Sequence, residues 1–201
     1  MTSPIVLASN NAKKIKELQE ILIPFEFSIV TQASLGIEDA VEDGLSFVEN
    51  AIKKARHASL HSKMPAISDD SGIEVDALKG APGIYSARFA GEHGDDQANN
   101  KKLLAELKGI PQDKRTARYQ CVIVFMRHAS DPTPIICQGS WEGIILDSPQ
   151  GEGGFGYDPL FYVPEHKCTA AELSAEKKHQ LSHRGAALNQ LVKQITQLKR
   201  I

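Results

Sequence analysis

Two adjacent carboxylates are the first place in this sequence where chemistry suggests itself. Asp69 and Asp70 sit in Ser68-Asp69-Asp70-Ser71-Gly72, after the apolar run Pro65-Ala66-Ile67. The segment is expected to form an acidic turn at a sheet edge, leading into an alternating stretch from Ile73 to Leu78. If the backbone is extended there, the two side chains point to opposite faces and only one meets a ligand on a given side. An aspartate so placed can hold Mg²⁺ through oxygen or take a proton from water. The plain alternative is a polar turn closed by an Asx cap.

Three further segments offer complementary chemistry. Ser9-Asn10-Asn11-Ala12-Lys13-Lys14 stands where the apolar run Ile5 to Ala8 gives way to Ile15, Leu18 and Leu22 at helical spacing. Backbone N–H groups at a helix start favour a phosphate, and Lys14 adds a full charge. The pattern is not a P-loop, and an ordinary N-cap with solvated lysines competes with it. The loop Gly151 to Pro159 contains a literal G-x-G-x-x-G at Gly151, Gly153 and Gly156, but a β-rich run follows instead of a helix, which rejects the dinucleotide fingerprint. What remains is a loop offering Phe155, Tyr157 and Asp158 to a base, against the reading of a turn with core aromatics. In Lys177 to Gly185, Ser182 reads as an N-cap. It places His183 and Arg184 in a first helical turn, where cations are disfavoured unless an electronegative partner faces them. A solvated helix start is the alternative. His57 and His61, like His179 and His183, are spaced i, i+4 but lack the H-E-x-x-H glutamate and a third ligand, and the first pair reads as a solvated helix face. No G-x-S-x-G nucleophile elbow is present.

These segments need a frame. The first helix is stopped by Pro24, and Phe27 to Val30 reads as a strand. A helix over about Ser46 to His61 carries Phe47, Ala51, Ala55 and Ala58 on one face. The Gly-Ala-Pro-Gly segment with Pro82 and Gly83 is a loop, and a helix covers about Gln97 to Leu107. Tyr119 to Met126 and Ile135 to Ile145 are β-rich and pair across Asp131-Pro132. Leu160 to Val163 is a further β run, and a closing helix from about His183 to Lys199 turns Leu188, Leu191, Ile195 and Leu198 inward. The mixture is an α/β fold, and the hairpin argues against a purely parallel sheet.

At 201 residues and 41% hydrophobic, the chain has the size of one domain. With 23 Lys+Arg against 25 Asp+Glu it has no global basic field to hold nucleic acid, so phosphate binding must be local. Cys121, Cys137 and Cys168 are odd in number and widely spaced, which argues against a disulfide framework or structural zinc and fits a reducing cytoplasm. No apolar run is long enough for a membrane helix, and no signal segment is evident.

Taken in order, S-N-N-A-K-K, F-V-E-N-A-I-K-K-A, S-D-D-S-G, G-A-P-G-I-Y-S-A-R, G-G-F-G-Y-D-P and S-H-R-G closely resemble the inosine triphosphate pyrophosphatase family over nearly the whole chain, in particular its bacterial branch acting on dITP, ITP and XTP. The resemblance implies a single domain over 1–201 with a long mixed sheet flanked by helices, two lobes around a central cleft (the ITPase-like or Maf-like α/β fold), a Mg²⁺ cofactor and a homodimer. It implies substrate contacts for Ser9, Asn10, Asn11, Lys14, Lys54, Ser71, Phe155, Gly156, Tyr157, Asp158, Lys178, His183 and Arg184. Asp70 would be proton acceptor and metal ligand. Many relatives carry two glutamates where this chain reads Val41-Glu42, the first being a metal ligand; Val41 cannot coordinate, so either Glu42 substitutes or water does.

The mechanism expected from these residues sets Lys14, Lys54 and Lys178 around a triphosphate, with Asp70 preparing the water that attacks the α-phosphorus. Helix-end N–H groups, His183 and Arg184 would bond the 6-oxygen of hypoxanthine or xanthine, which adenine lacks. Two rivals stay open: a nucleotide-binding regulatory protein with little or no catalysis, and a related pyrophosphatase with another base preference, for pyrimidine or methylated nucleotides.

Overall fold

The computed structural model describes residues 4–22 and 28–198. Seven strands form one mixed sheet: β1 (Ile5–Leu7), β2 (Ile29–Thr31), β3 (Ala66–Val75), β4 (Thr116–Met126), β5 (Ile135–Ile145), β6 (Phe161–Val163) and β7 (Cys168–Thr169). Their order is β2-β1-β3-β4-β5-β6-β7, parallel from β1 to both β2 and β3 and antiparallel from β5 to β6 and β6 to β7. Among the described residues five α-helices accompany them: α1 (Ala12–Leu22), α2 (Phe47–Ser62), α3 (Asp96–Glu106), α4 (Ala175–Leu181) and α5 (His183–Leu198). The mixed sheet and helices agree with the α/β expectation.

The chain divides into two compact units, Met1–Asp70 with Cys121–Gly139 and Arg184–Ile201, and Ser71–Gln120 with Ser140–His183. In the first, period-2 alternation sorts the strand residues. Ile5, Leu7, Ile67, Cys121, Ile123 and Phe125 meet Leu18 and Leu22 of α1 and Leu188, Leu191 and Ile195 of α5. On the opposite face Val122, Val124 and Met126 meet Ala51 and Ala55 of α2, while Val6, Ala8 and Ala66 meet Ala58. Alanine at these α2 positions lets the helix backbone lie close to the sheet. Ser68 on β3 then reaches Ala51 O, donating at 2.6 Å. In the second unit Ile73, Val75, Tyr119, Trp141 and Phe161 build a separate core with Leu103 and Leu107.

Several expectations are corrected. Ser68 to Gly72 is not a turn at a sheet edge but the middle of β3, an interior strand of the sheet, because apolar residues continue on both sides of the acidic pair and carry the ladder through it. The alternating stretch ends at Val75, and Asp76–Leu78 is a 3₁₀ turn. The loop after Pro82 winds into a 3₁₀ helix, Gly83–Arg88. Helix α4 and strand β7 were not expected; α4 is short, and Ser174 caps it by accepting from Lys177 N. Ser182 is extended between α4 and α5, at φ −71° and ψ 157°, which is the backbone an N-cap adopts. Pro24 as helix stop, Phe27 in the second strand, the Leu198 side chain and Lys199 at the end of the last helix lie outside the described residues.

Candidate active site

Because β3 is extended through Asp69 and Asp70, the two carboxylates leave on opposite faces. Asp70 shares the side of Ser68 and faces α2, where Lys54 Nζ lies 3.3 Å from Asp70 Oδ1 and 2.8 Å from Glu42 Oε1. One ammonium thus draws two acids from separate segments to the same point. Burial pushes the Asp70 carboxyl above the usual range, and Lys54 only partly offsets it. For Lys54, burial works against the charge, but Asp70, Asp69 and Glu42 outweigh it and raise its pKa.

Asp69 faces the other way, toward α1 and α5, and is fully buried. Its Oδ2 lies 3.2 Å from Lys14 Nζ and 3.2 Å from Arg184 Nη2, while Arg184 Nη1 also binds Glu17. Burial opposes the Asp69 charge; Lys14, Arg184 and Lys54 overcome it and hold the carboxyl well below its ordinary value. The cation anticipated at the start of α5 therefore has its electronegative partners, and they are two protein carboxylates. Arg184 is 2% exposed, with its guanidinium set between Glu17 and Asp69.

The Ser9 to Lys14 segment is a true helix start. Asn11 Oδ1 accepts from the backbone N–H of both Lys13 and Lys14 at 3.1 Å, and Ser9 Oγ accepts from Asn11 N at 3.2 Å. The N-cap reading therefore describes Asn11, and the N–H groups of residues 13 and 14 are engaged by it instead of being open to phosphate. Asn10 is exposed, and Lys14 points to Asp69 instead of into solvent.

The second unit holds the loop residues. Asp158, 2% exposed, gathers Lys178 Nζ at 2.7 Å, Phe155 N at 2.8 Å and the Tyr119 hydroxyl at 3.2 Å. With three donors on its two oxygens, Asp158 organises the loop. Gly154 sits at φ +71°, and a Cβ there would fall 2.1 Å from Asp158 Oδ2, so the loop needs glycine at that position. Gly156 is gripped on both sides of its peptide, its N–H by Asp96 at 3.0 Å and its C=O by Asn100 at 2.9 Å. Tyr157 is buried with its hydroxyl on Ser86 O, so of the two aromatics only Phe155, half-buried with the Lys178 ammonium 4.7 Å from its ring centroid, presents a surface. His183 stacks on Tyr119 at 4.7 Å between centroids and 8° between planes. Lys178 belongs to this group, whereas Lys14 and Lys54 stand with the aspartates in the first unit. The chain passes between the two sets at Asp70-Ser71 and His183-Arg184.

Sequence reasoning missed Glu17, Tyr119, Asp96 and Asn100. Glu17 carried a signal, a glutamate next to Leu18 on the apolar stripe of α1 that ends buried at 6% exposure. Among the described residues no three acidic, histidine or cysteine side chains gather to cage a metal. The Glu42 and Asp70 pair suits a hard cation that takes its other ligands from water and phosphate. Val41 is 76% exposed and contributes no ligand oxygen.

The sequence model of the Ham1 family matches residues 5–194. A dITP/XTP pyrophosphatase of Photobacterium profundum is 56% identical over 189 residues, 94% of this chain and 96% of the relative. One of Escherichia coli O157:H7 is 56% identical over 188 residues, 94% and 95% of the two chains. Among solved structures, a HAM1 protein from Coxiella burnetii superposes with a TM-score of 0.90 at 46% identity, covering 98% of this chain and 100% of that one. The Staphylococcus aureus Ham1 protein gives 0.85 at 41%, covering 96% and 98%.

Proposed function

The chain belongs to the Ham1 family, and we propose that residues 1–201 work as one Mg²⁺-dependent pyrophosphohydrolase that cuts ITP, dITP and XTP to the monophosphate and pyrophosphate. The observation that carries this reading is the convergence of Glu42 and Asp70 on the Lys54 ammonium, with Lys14 held by Asp69 on the other face of the same strand.

Glu42 and Asp70 are the side chains that would hold Mg²⁺, which when bound neutralises charge on phosphate oxygens. The raised pKa of Asp70 strengthens it as a base. A water proton passes to its carboxylate as the water oxygen adds to the α-phosphorus and the α–β anhydride bond breaks. Lys54, kept charged by three carboxylates, and Lys14, kept in place by Asp69, donate to phosphate oxygens as negative charge moves onto the leaving pyrophosphate.

In the second unit, half-buried Phe155 offers a flat surface suited to a purine, and His183 is fixed by its stack on Tyr119. His183 and Arg184 at the start of α5, with backbone N–H groups, are the donors for the 6-oxygen. Adenine carries a donor at that position, so two donors would face each other. Such a mismatch supports discrimination of up to about 10⁴ to 10⁵. A panel of ITP, dITP, XTP, GTP, ATP and CTP compared by kcat/KM with Mg²⁺ tests the reading. Pyrophosphate release from the first three should exceed that from ATP by at least about 10², and equal use of ATP would overturn the base assignment. A homodimer and a cytoplasmic setting are part of the same proposal; sedimentation of the purified protein at twice the chain mass of 21.9 kDa supports the former, and a monomer opposes it.

A further inference from the structure

We infer that Asn50 is a positioning residue for the acidic segment, setting Glu42 beside Asp70 through a hydrogen bond to the Gly44 backbone. The inference rests on the metal-dependent reading above. Glu42 lies in a stretch with no helix or strand of its own, yet the first two turns of α2 take hold of it residue by residue. Leu45 N donates to Glu49 Oε2 at 2.9 Å, Gly44 N donates to Asn50 Oδ1 at 2.8 Å, Asp43 pairs with Lys53, and Glu42 pairs with Lys54 at 2.8 Å. Four consecutive residues of the loop are thus held by four side chains of one helix face and its flank.

The four contacts are not equivalent. Those of Glu49 and Lys53 are exposed, where water competes, and an exposed ion pair holds little. Asn50 is 1% exposed, and its bond to Gly44 is buried, so water cannot replace it. Gly44 also has no room for a side chain. A Cβ there would fall 2.6 Å from Asn50 Oδ1 and 2.8 Å from Glu49 Cβ, so the close approach requires glycine. Asn50 is one helical turn before Lys54, so a single rigid face of α2 fixes both the loop backbone and the cation that Glu42 and Asp70 share. In a chain with Val41 where a second acid could have stood, Glu42 is the one carboxylate of this loop that reaches Lys54, and its placement matters more.

Asn50→Ala removes the acceptor, Asn50→Asp keeps one of the same size, and Gly44→Ala breaks the contact from the loop side. Mn²⁺ binding to the nucleotide-free protein is read by electron paramagnetic resonance, next to the Mg²⁺ dependence of ITP hydrolysis and the melting temperature. Asn50→Ala and Gly44→Ala should weaken Mn²⁺ binding about tenfold and raise the Mg²⁺ needed for half-maximal rate similarly, while KM for ITP at saturating Mg²⁺ moves less than about threefold. Asn50→Asp should restore Mn²⁺ binding to within about threefold of the original chain. A folded Asn50→Ala or Gly44→Ala with unchanged Mn²⁺ affinity overturns the inference, as does a loss shared equally between metal and ITP. If Asn50→Ala does not fold, Gly44→Ala and Asn50→Asp carry the same test. Absence of Mg²⁺-dependent pyrophosphate release in the unsubstituted protein would instead be a failure of the parent reading.

Discussion

Asp69 and Asp70 are neighbours in one strand, yet the two sides of β3 on which they stand are built for different ends. On the α1 and α5 side, Asp69 is fully buried and faces two cations, with Lys14 and Arg184 on one oxygen and Glu17 closing the network. On the α2 side, Asp70 faces one lysine that it shares with Glu42, and burial leaves its carboxylate short of compensation. A carboxylate whose charge is fully met holds structure together. One whose charge is under-met has capacity left for a proton or a metal. The difference follows from the period of two in an extended strand, which sends adjacent identical residues to opposite environments.

Neutralising the under-met acid has the largest expected effect. Asp70→Asn should lower kcat for ITP by about 10³ while ITP still binds by calorimetry. A variant that turns over normally removes Asp70 from the chemistry. Neutralising the saturated acid tests the other side. Asp69→Asn leaves Lys14 and Arg184 facing each other without their shared partner, and breaking a buried pair in this way costs about 3–5 kcal/mol. The melting temperature should fall by about 10 °C. Because Asp69 is depressed below the ordinary aspartate value of 3.8, its contribution is present above that pH and is lost as pH falls further. The gap in melting temperature between the unsubstituted chain and Asp69→Asn should therefore narrow below about pH 4, and a gap that widens in acid would contradict the assignment.

Smaller effects sharpen the picture. Tyr119→Phe removes one of three donors from Asp158 in the second unit and should cost about 1 kcal/mol of stability with a several-fold rise in KM for ITP and little change in kcat. An equal loss in both constants would make Tyr119 more than a support. Val41→Glu restores an acid at an exposed position, so stability should stay within about 0.5 kcal/mol while the Mg²⁺ needed for half-maximal rate falls. No change in metal dependence would show that position 41 lies out of reach of the metal.

Much of the fold was legible because its strands and helices announce their periods. The α2 alanines, the β4 run and Leu188, Leu191 and Ile195 of α5 occupy the faces their spacing demands. The acidic pair was harder. Ser, Asp and Gly are turn residues by local chemistry, and only pairing inside the sheet makes Ser68 to Gly72 a strand. Helix α4 is seven residues long, too short for a period to show. Within the candidate site, Lys54, Glu42 and Asp70 were named from the sequence and stand together. Arg184 and Asp158 were named too, but their partners, Glu17 and Tyr119, lie 167 and 39 residues away in the chain. Nothing in local sequence reports such a pairing, so their supporting roles became visible only in three dimensions.

The comparison between the two aspartates turns on one measurement, the unfolding free energy of Asp70→Asn near neutral pH, taken on protein whose ITP turnover is read in parallel. The folded protein raises the pKa of Asp70, so folding favours its neutral form; that advantage is present below the ordinary aspartate pKa and is lost as pH rises through the raised value. At neutral pH the ionised carboxylate carries a burial cost that asparagine lifts, while Lys54 keeps Glu42 at 2.8 Å as its charged partner. Asp70→Asn should be inactive and at least as stable as the unsubstituted chain. An inactive variant as destabilised as Asp69→Asn would contradict it, and would make Asp70 a second structural acid.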